Sequence, residues 1–301
     1  TKKFGFETLL IGSNENALKI YNEINSTLKN SKNKPTLGII LANSDESSLT
    51  YVGLKKKKAE ELGINVIVKS FESIDITPSE ILSEVLKFNQ DPEITGFLIQ
   101  LPIYNNIRNE TQNILDQINH QKDVDGLGAH NLGKLSHLDK SSFLPATVEA
   151  TLECINQTLM TPINWLSNNN DSQLEGKNVV IINNSDMIGK PLCNILISKN
   201  ATVSVLNHTT EDIKAYTQNA DIVITATGRG LLFDHSYFKK ESTLIDITSK
   251  KMGGKVVGDI IVSPELEKIN WLTPVPGGIG PLTVAFLMKN LVKAFQISNP
   301  L

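Results

Sequence analysis

Residues 178–192 read NVVIINNSDMIGKPL, a β-branched apolar run that passes through a polar turn into an apolar helical pattern. The run predicts a strand at 178–182 and a helix over 188–199, the plan of the first βα unit of a nucleotide-binding sheet. In such a unit the turn lets backbone N–H groups and the helix N-terminus face phosphate oxygens. The usual glycine pattern is missing. Only Gly189 stands among the expected glycines, and Asn183 occupies the tight turn, asparagine being the next best residue for positive φ. On spacing alone, an ordinary βα loop and a dinucleotide site are equally good readings.

Downstream, the pattern continues with strands ATVSVL at 201–206, DIVIT at 221–225 and STLIDI at 242–247, with a short helix after the first. The second strand ends Val205-Leu206-Asn207-His208, with neither an acid for a ribose 2′-hydroxyl nor an arginine for a 2′-phosphate, so NAD and NADP both stay open. Upstream, Ala17, Ile20, Tyr21, Ile24 and Leu28 keep helical spacing, and Pro35 precedes a strand at 36–42. A lysine-rich helix at 47–62 should stop at Gly63 as its C′ residue, followed by a strand at 64–71. A helix at 79–90, with Ile81, Leu82, Val85 and Leu86 on one side, leads to a strand at 95–100. Near-continuous apolar strands alternating with helices predict parallel sheets covered on both faces. Periodicity fades between about 120 and 147, which reads as a long functional loop without regular structure. A helix at roughly 148–160, a polar loop LSNNNDSQLEGK at 166–177 and a last helix from about Thr283 to Ala294 complete the chain, with no internal repeat.

The chain has 301 residues, with 29 Lys+Arg against 32 Asp+Glu, a net charge of −3. This length suggests two domains, and the near-neutral balance argues against nucleic acid or an acidic membrane surface as the main partner. A small-molecule ligand is the expectation. Cys154 and Cys193 lie in apolar helical contexts without metal-site spacing, which reads as two buried thiols in a reducing cytoplasm. No signal-peptide h-region and no apolar run near ~18 residues is present, so a soluble, cytoplasmic protein without bound metal is expected.

Four further stretches carry potential chemistry. Ser48, Tyr51 and Lys55 lie in the lysine-rich helix, and the i, i+4 spacing puts Tyr51 and Lys55 on one face. A lysine of depressed pKa transfers protons near neutral pH, and a tyrosine stacks on a planar ligand. Lys56, Lys57 and Lys58 read as a solvated face, and Lys55 taken alone is more often a surface residue than a catalytic one. Gln100-Leu101-Pro102 ends a strand, where ligands gather in parallel α/β sheets. In Lys122-Asp123-Val124-Asp125-Gly126 an acid either grips two donors of a heterocycle or caps the local turn, two readings of equal weight. Last, the Pro/Gly-rich stretch 273–283, TPVPGGIGPLT, forms a stiff loop with bare backbone suited to a flat ligand.

Together these groups resemble the bifunctional methylenetetrahydrofolate dehydrogenase/methenyltetrahydrofolate cyclohydrolase family. The resemblance runs in order through SSLTYVGLKKKKAEELGI, GFLIQLP, KDVDGLGAHNLGKL, NNSDMIGKPL, ATVSVL, DIVITATG and TPVPGGIGPLTVAFLMKN. KDVDG followed at this distance by TPVPGGIGPLT is the most specific pair. The resemblance implies a folate-binding α/β domain over 1–146, joined by the C-terminal helix 283–301, and a Rossmann-like NAD(P)-binding domain over 147–282. It implies tetrahydrofolate derivatives as substrates, NADP as cofactor with NAD as the alternative, and a homodimer.

Residue by residue, Lys55 matches the lysine that assists proton transfer as water attacks the methenyl carbon, and Tyr51 the residue that packs on folate. Gln100 matches the lysine's hydrogen-bonding partner and Asp125 the acid that grips the pterin. Ser48, Leu101, Pro102, Pro276, Gly277 and Gly278 match further folate contacts. Asn183, Asn184, Ser185, Ile188, Gly189, His208, Thr227, Gly228, Ser249 and Thr283 fall on cofactor positions. The chain departs from the family where Gly-Arg-Ser has become Asn183-Asn184-Ser185, which removes the arginine expected at an NADP 2′-phosphate. His208 and Thr209 replace a serine and a basic residue, and Pro145-Ala146-Thr147-Val148 replaces Pro-Cys-Thr-Pro. Lys190 is a candidate for the lost charge, although an exposed helix residue is the commoner reading. A cyclohydrolase with little dehydrogenase activity and a non-enzymatic folate binder are the alternatives.

Overall fold

The structure, a computed structural model, describes residues 9–29, 31–167 and 172–299. Residues 168–171 of the predicted polar loop, and the first eight residues of the chain, lie outside them. The strands are β1 Leu9–Leu10, β2 Thr36–Leu41, β3 Asn65–Ser70, β4 Gly96–Gln100, β5 Asn178–Ile182, β6 Thr202–Leu206, β7 Ile222–Thr225, β8 Thr243–Asp246, β9 Lys250–Met252, β10 Lys255–Val257 and β11 Trp271–Leu272. The α-helices are α1 Ser13–Leu28, α2 Glu46–Glu61, α3 Pro78–Gln90, α4 Thr111–Leu115, α5 Ala129–Leu135, α6 Ala146–Asn156, α7 Gly189–Ile197, α8 Ile213–Thr217 and α9 Ile279–Ser298.

The chain divides into two compact units. One contains Leu18–Lys134, Ser141–Ala146 and the chain from Val284 on. Its sheet is parallel, in the order β3-β2-β4. β2 and β4 are buried along their whole length, as continuous apolar runs require, but β3 is an exposed edge strand, so the expectation of full cover on both faces fails there. Local chemistry sets the helix ends. α3 opens with a capping box, in which Thr77 Oγ1 accepts from the Glu80 amide and Glu80 accepts from the Thr77 amide, with Pro78 at the first helical position. Its buried side is Ile81, Val85 and Phe88, while Leu86, expected inside, is exposed. α2 ends as predicted at Gly63, where the amides of Gly63 and Ile64 donate to the carbonyls of Glu60 and Ala59.

The other unit contains the chain up to Ala17, Leu135–Lys140 and Thr147–Thr283. Its sheet has six parallel strands in the order β1-β11-β8-β7-β5-β6, and β9 and β10 form a separate antiparallel hairpin. Val180, Ile182, Val223, Phe233 and Leu244 contribute to its apolar core. The order reverses between β7 and β6 around β5, the doubly wound pattern. Strand β1 pairs with β11, so Leu9 and Leu10 belong to the sheet of this unit. Two-residue strands carry too little periodicity to be read before their partner is known.

Two other expectations need correction. The stretch 120–147 is not without regular structure: α5 lies within it, and it is tied down by buried side chains. The last helix begins at Ile279, four residues earlier than expected, because Pro281 falls in the first turn, where a missing N–H costs nothing. Cys154 is buried, and burial pushes its thiol up to about 12, whereas Cys193 is only partly buried. Among the described residues, no helix is long and apolar enough to cross a membrane.

Candidate functional site

In the three-stranded unit, β2 feeds α2 and lies between β3 and β4, so the β2/β4 boundary is a switch point at the carboxyl ends of the strands. Asn43, just past β2, spans it. Its Nδ2 donates to the Pro102 carbonyl and its Oδ1 accepts from the Asp45 amide, fixing the exits of both strands. Gln100 is the last residue of β4, and Leu101 and Pro102 follow, partly buried and joined by a cis peptide bond.

The helical face predicted for Tyr51 and Lys55 exists. Lys55 points inward and is 8% exposed, Ser48 is buried one helical stretch earlier, and Tyr51 is partly exposed. Lys55 Nζ donates to Gln100 Oε1 at 2.9 Å, while Gln100 Nε2 donates to the Leu101 carbonyl, which fixes the orientation of the amide. Burial holds the Lys55 ammonium below its ordinary pKa, and the Asp125 carboxylate works against that shift. Burial likewise raises Asp125, and Lys55 opposes the rise. The structure therefore brings Lys55, Gln100 and Asp125 together.

The two readings of an acid in KDVDG are divided between two residues. Asp123, fully buried, caps the turn: it accepts from the Leu127 and Gly128 amides and from Asn131 Nδ2 at 3.3, 2.9 and 2.9 Å. Asn131 Oδ1 accepts from the Phe143 amide. Asn290, on α9, donates to the carbonyls of Val124 and Leu144 at 3.0 and 2.9 Å. Asp125 is the acid of the pair that interacts electrostatically with Lys55. Asn43, Asn131 and Asn290 escaped the sequence reading, because an isolated Asn carries no period; a polar residue set into the apolar run of α9 was the one available signal for Asn290.

In the six-stranded unit, the switch point falls between β5 and β7. Asn183, the first residue after β5, spans it by donating from Nδ2 to the Ala226 carbonyl at 2.8 Å. Its Oδ1 accepts from the Ser185 amide, the Ser185 hydroxyl and the Gly189 amide at 2.9, 2.7 and 3.1 Å. Asn183 therefore makes the turn with its side chain; it is not among the residues of positive φ, so that part of the sequence reading is corrected. Gly189 is required by close approach, since a Cβ there would lie 1.8 Å from the Asn183 carbonyl oxygen. The expected phosphate-facing amides are committed internally: Ile188 N–H donates to Ser185 Oγ, Gly189 N–H to Asn183, Lys190 N–H to the Ser185 carbonyl, and Pro191 has none. What the turn offers a ligand is the helix dipole and the side chains around it.

Asn184 and His208 are exposed at the ends of β5 and β6, and Lys190 is exposed and paired with Asp186, one turn away. Past β7, Thr227 is partly buried and Gly228 exposed, and Ser249 is exposed past β8. Pro276 is exposed after a cis bond, Gly277 has φ +102°, and Gly278 has no room for a Cβ against the Pro274 carbonyl. Thr283 Oγ1 donates back to the Ile279 carbonyl in the first turns of α9. A parallel switch point closed at its base by Asn183, with small residues on the loops around it, fits an extended dinucleotide.

Residues 11–125 match the tetrahydrofolate dehydrogenase/cyclohydrolase catalytic domain, and residues 158–299 match the NAD(P)-binding domain of the same family. Among curated relatives, the bifunctional protein FolD of Aliarcobacter butzleri is 37% identical over 277 residues, covering 91% of each chain. Among solved structures, the bifunctional FolD methylenetetrahydrofolate dehydrogenase/cyclohydrolase of Campylobacter jejuni has a TM-score of 0.86 and 32% identity, covering 97% of this chain and 99% of its own. The Trypanosoma brucei FolD, solved with NADP cofactor and an inhibitor, has a TM-score of 0.86 and 26% identity over 98% and 99% of the two chains. With both family domains matched in order across most of its length, the chain belongs to the tetrahydrofolate dehydrogenase/cyclohydrolase family.

Proposed function

We propose that this protein oxidises methylenetetrahydrofolate to methenyltetrahydrofolate with a nicotinamide dinucleotide and hydrolyses the methenyl product to formyltetrahydrofolate. The observation that carries the reading is the buried Lys55 ammonium on Gln100 Oε1 at 2.9 Å with Asp125 facing it. A folate-binding acid needs partial burial to grip donors strongly, and Asp125 has it. Tyr51, one helical turn before Lys55 and partly exposed, is available to stack on the pterin. Ser48, Leu101 and Pro102 complete this surface, and family resemblance assigns folate contacts to Pro276, Gly277 and Gly278.

In the hydrolytic step, water adds to the electrophilic methenyl carbon and loses a proton; the hydroxyl proton of the adduct then passes to the ring nitrogen as the C–N bond breaks, which leaves the formyl group. Lys55 is the group assigned to take the proton lost by water, and burial lowers its pKa from the ordinary lysine value, which favours the neutral form that accepts it. Gln100 holds the nitrogen in place, and Asp125 stabilises the ammonium that results. NAD(P), when bound, supplies the hydride acceptor for the oxidative step. Asn183, Asn184, Ser185, Ile188, Gly189, His208, Thr227, Gly228, Ser249 and Thr283 are the residues assigned to hold it, with NADP preferred and NAD as the alternative. We assign the folate chemistry to the unit with Lys55 and the dinucleotide to the unit with Asn183. Family resemblance supports a homodimer, and the free thiols of Cys154 and Cys193 suit a cytoplasmic setting.

Lys55→Met is the test. Loss of cyclohydrolase turnover with dinucleotide binding retained is expected, and full turnover by the variant would remove Lys55 from the role. A second reading, a cyclohydrolase of weak dehydrogenase activity, is favoured by the exposed Asn184 and the Asp186-paired Lys190. Steady-state NADP reduction with methylenetetrahydrofolate at a rate matching the hydrolysis excludes it.

A further inference from the structure

Asp259 is fully buried, and four donors converge on its carboxylate. The Thr227 amide and the Thr248 hydroxyl donate to Oδ2 at 2.7 and 2.6 Å, and the Thr227 hydroxyl and the Gly230 amide donate to Oδ1 at 2.7 and 3.0 Å. Both carboxylate oxygens are therefore saturated, which is what a buried acid requires. Because each hydroxyl proton is spent on Asp259, each hydroxyl oxygen turns its lone pairs outward. Thr248 Oγ1 accepts from the Gly228 amide at 3.0 Å, and Thr227 Oγ1 accepts from the Arg229 amide at 3.1 Å. One carboxylate thus orients two hydroxyls, and those set two consecutive amides of the loop after β7. Gly228 holds φ +68° there, with open space around its α-carbon.

The same network joins the loop after β7 to the loop after β8, since Thr248 lies between β8 and Ser249. Asp246 reinforces the join, accepting from the Thr248 amide at 3.1 Å and from the Ile260 amide at 2.9 Å. Three of the residues assigned to the dinucleotide, Thr227, Gly228 and Ser249, are on these two loops. None of the groups in the network is used by the hydrolytic step, and an acid this deep with four convergent donors is more than an apolar core needs.

We propose that Asp259 and Thr248 are positioning residues for the dinucleotide: through its hydroxyl, Thr248 transmits the orientation imposed by Asp259 to the Gly228 amide, holding the Thr227–Gly228 turn in its binding conformation before the cofactor arrives. The inference rests on the dinucleotide reading of this unit. It separates a hydroxyl effect from a packing effect, since valine matches threonine in shape and lacks only the hydrogen bonds.

The test compares Thr248→Val and Thr248→Ser with the full-length wild type by calorimetric titration with NADP and with NAD, by thermal unfolding without dinucleotide, and by cyclohydrolase turnover on methenyltetrahydrofolate without dinucleotide. Thr248→Val is expected to weaken binding of the preferred dinucleotide about tenfold and to speed amide exchange at Gly228. Thr248→Ser should bind within about twofold of wild type, and hydrolytic turnover should be retained in both. Should the valine variant fail to fold, Thr248→Ala and Thr248→Ser carry the same comparison. Wild-type affinity in a folded variant without the hydroxyl overturns the proposal, as does a serine variant as weak as the valine one. A fall of both activities in parallel with Tm also overturns it, by showing a merely structural role. Wild type that binds neither dinucleotide removes the underlying reading, and the proposal with it; binding that is unchanged by the loss of the hydroxyl removes the proposal alone.

Discussion

Replacing Asn290 with leucine takes one amide from α9 and leaves two buried carbonyls, those of Val124 and Leu144, without their donor. Leucine is close in volume, so the change is a loss of hydrogen bonding rather than of packing. Leaving a buried acceptor unsatisfied costs about 1–3 kcal/mol, so two of them put the loss at roughly 2–6 kcal/mol for the unit that carries Lys55. At about 2–4 °C per kcal/mol for a domain of this size, the unit should melt roughly 4–24 °C lower. The loss has a direction as well as a size. Val124 immediately precedes Asp125, so loosening its carbonyl lets the carboxylate drift from Lys55. The assay is differential scanning calorimetry together with cyclohydrolase kinetics and NADP titration. A Tm drop in this range, with kcat/KM for hydrolysis down about tenfold and dinucleotide affinity retained, is expected. Asn290→Asp is the control, since it keeps the shape but aims an acceptor at two acceptors. It should be worse than leucine at pH 8. A leucine variant that melts within 1 °C of wild type, or an aspartate variant milder than leucine, would refute the hydrogen-bond argument.

Three further outcomes follow from the same geometry. Asp125→Asn removes the charge that holds the Lys55 pKa up, so the rising limb of the cyclohydrolase pH–rate profile should move to lower pH; a shift toward higher pH would contradict the assigned pairing. Burial pushes Asp246 up to about 6, so the folded state holds a proton that the unfolded state has released between pH 4 and 6, and this group's contribution to stability is lost as pH rises through 6. Between pH 5 and pH 7.5 that loss is about 1.4 kcal/mol, so the Tm of Asp246→Asn should gain on wild type over this range, and a constant difference would count against it. Asn184→Arg restores a cation at an exposed position past β5 and should lower KM for NADP while leaving that for NAD unchanged, as measured by initial rates with each cofactor.

Both parallel sheets were legible because their strands are continuous apolar runs between helices, a pattern local to each segment. β2, β4, β5 and β7 agree with it to within a residue or two, and so does the Gly63 helix stop. The pairing of Lys55 with Gln100 joins residues 45 positions apart; helix spacing and strand ends named both residues, and family resemblance named them as partners. The short β1 and β11 and the exposed face of β3 were not legible, since a two-residue strand has no period and the absence of a covering neighbour leaves no mark on the strand itself.

Local sequence was sufficient for what depends on near neighbours: the alternation of strand and helix and the motifs that name the family. Tertiary structure was needed wherever a residue's role depends on what the chain brings to it from afar. KDVDG contains two acids that are equivalent in sequence, and only the approach of Asn131 to one and Lys55 to the other makes Asp123 a cap and Asp125 the electrostatic partner of Lys55. The same holds for Asn183, which the sequence suggests as a backbone turn and which folding makes a side-chain bridge between two strands. Burial is the physical reason: a side chain's pKa and hydrogen bonds are set by the groups that replace water around it, and those come from the whole fold.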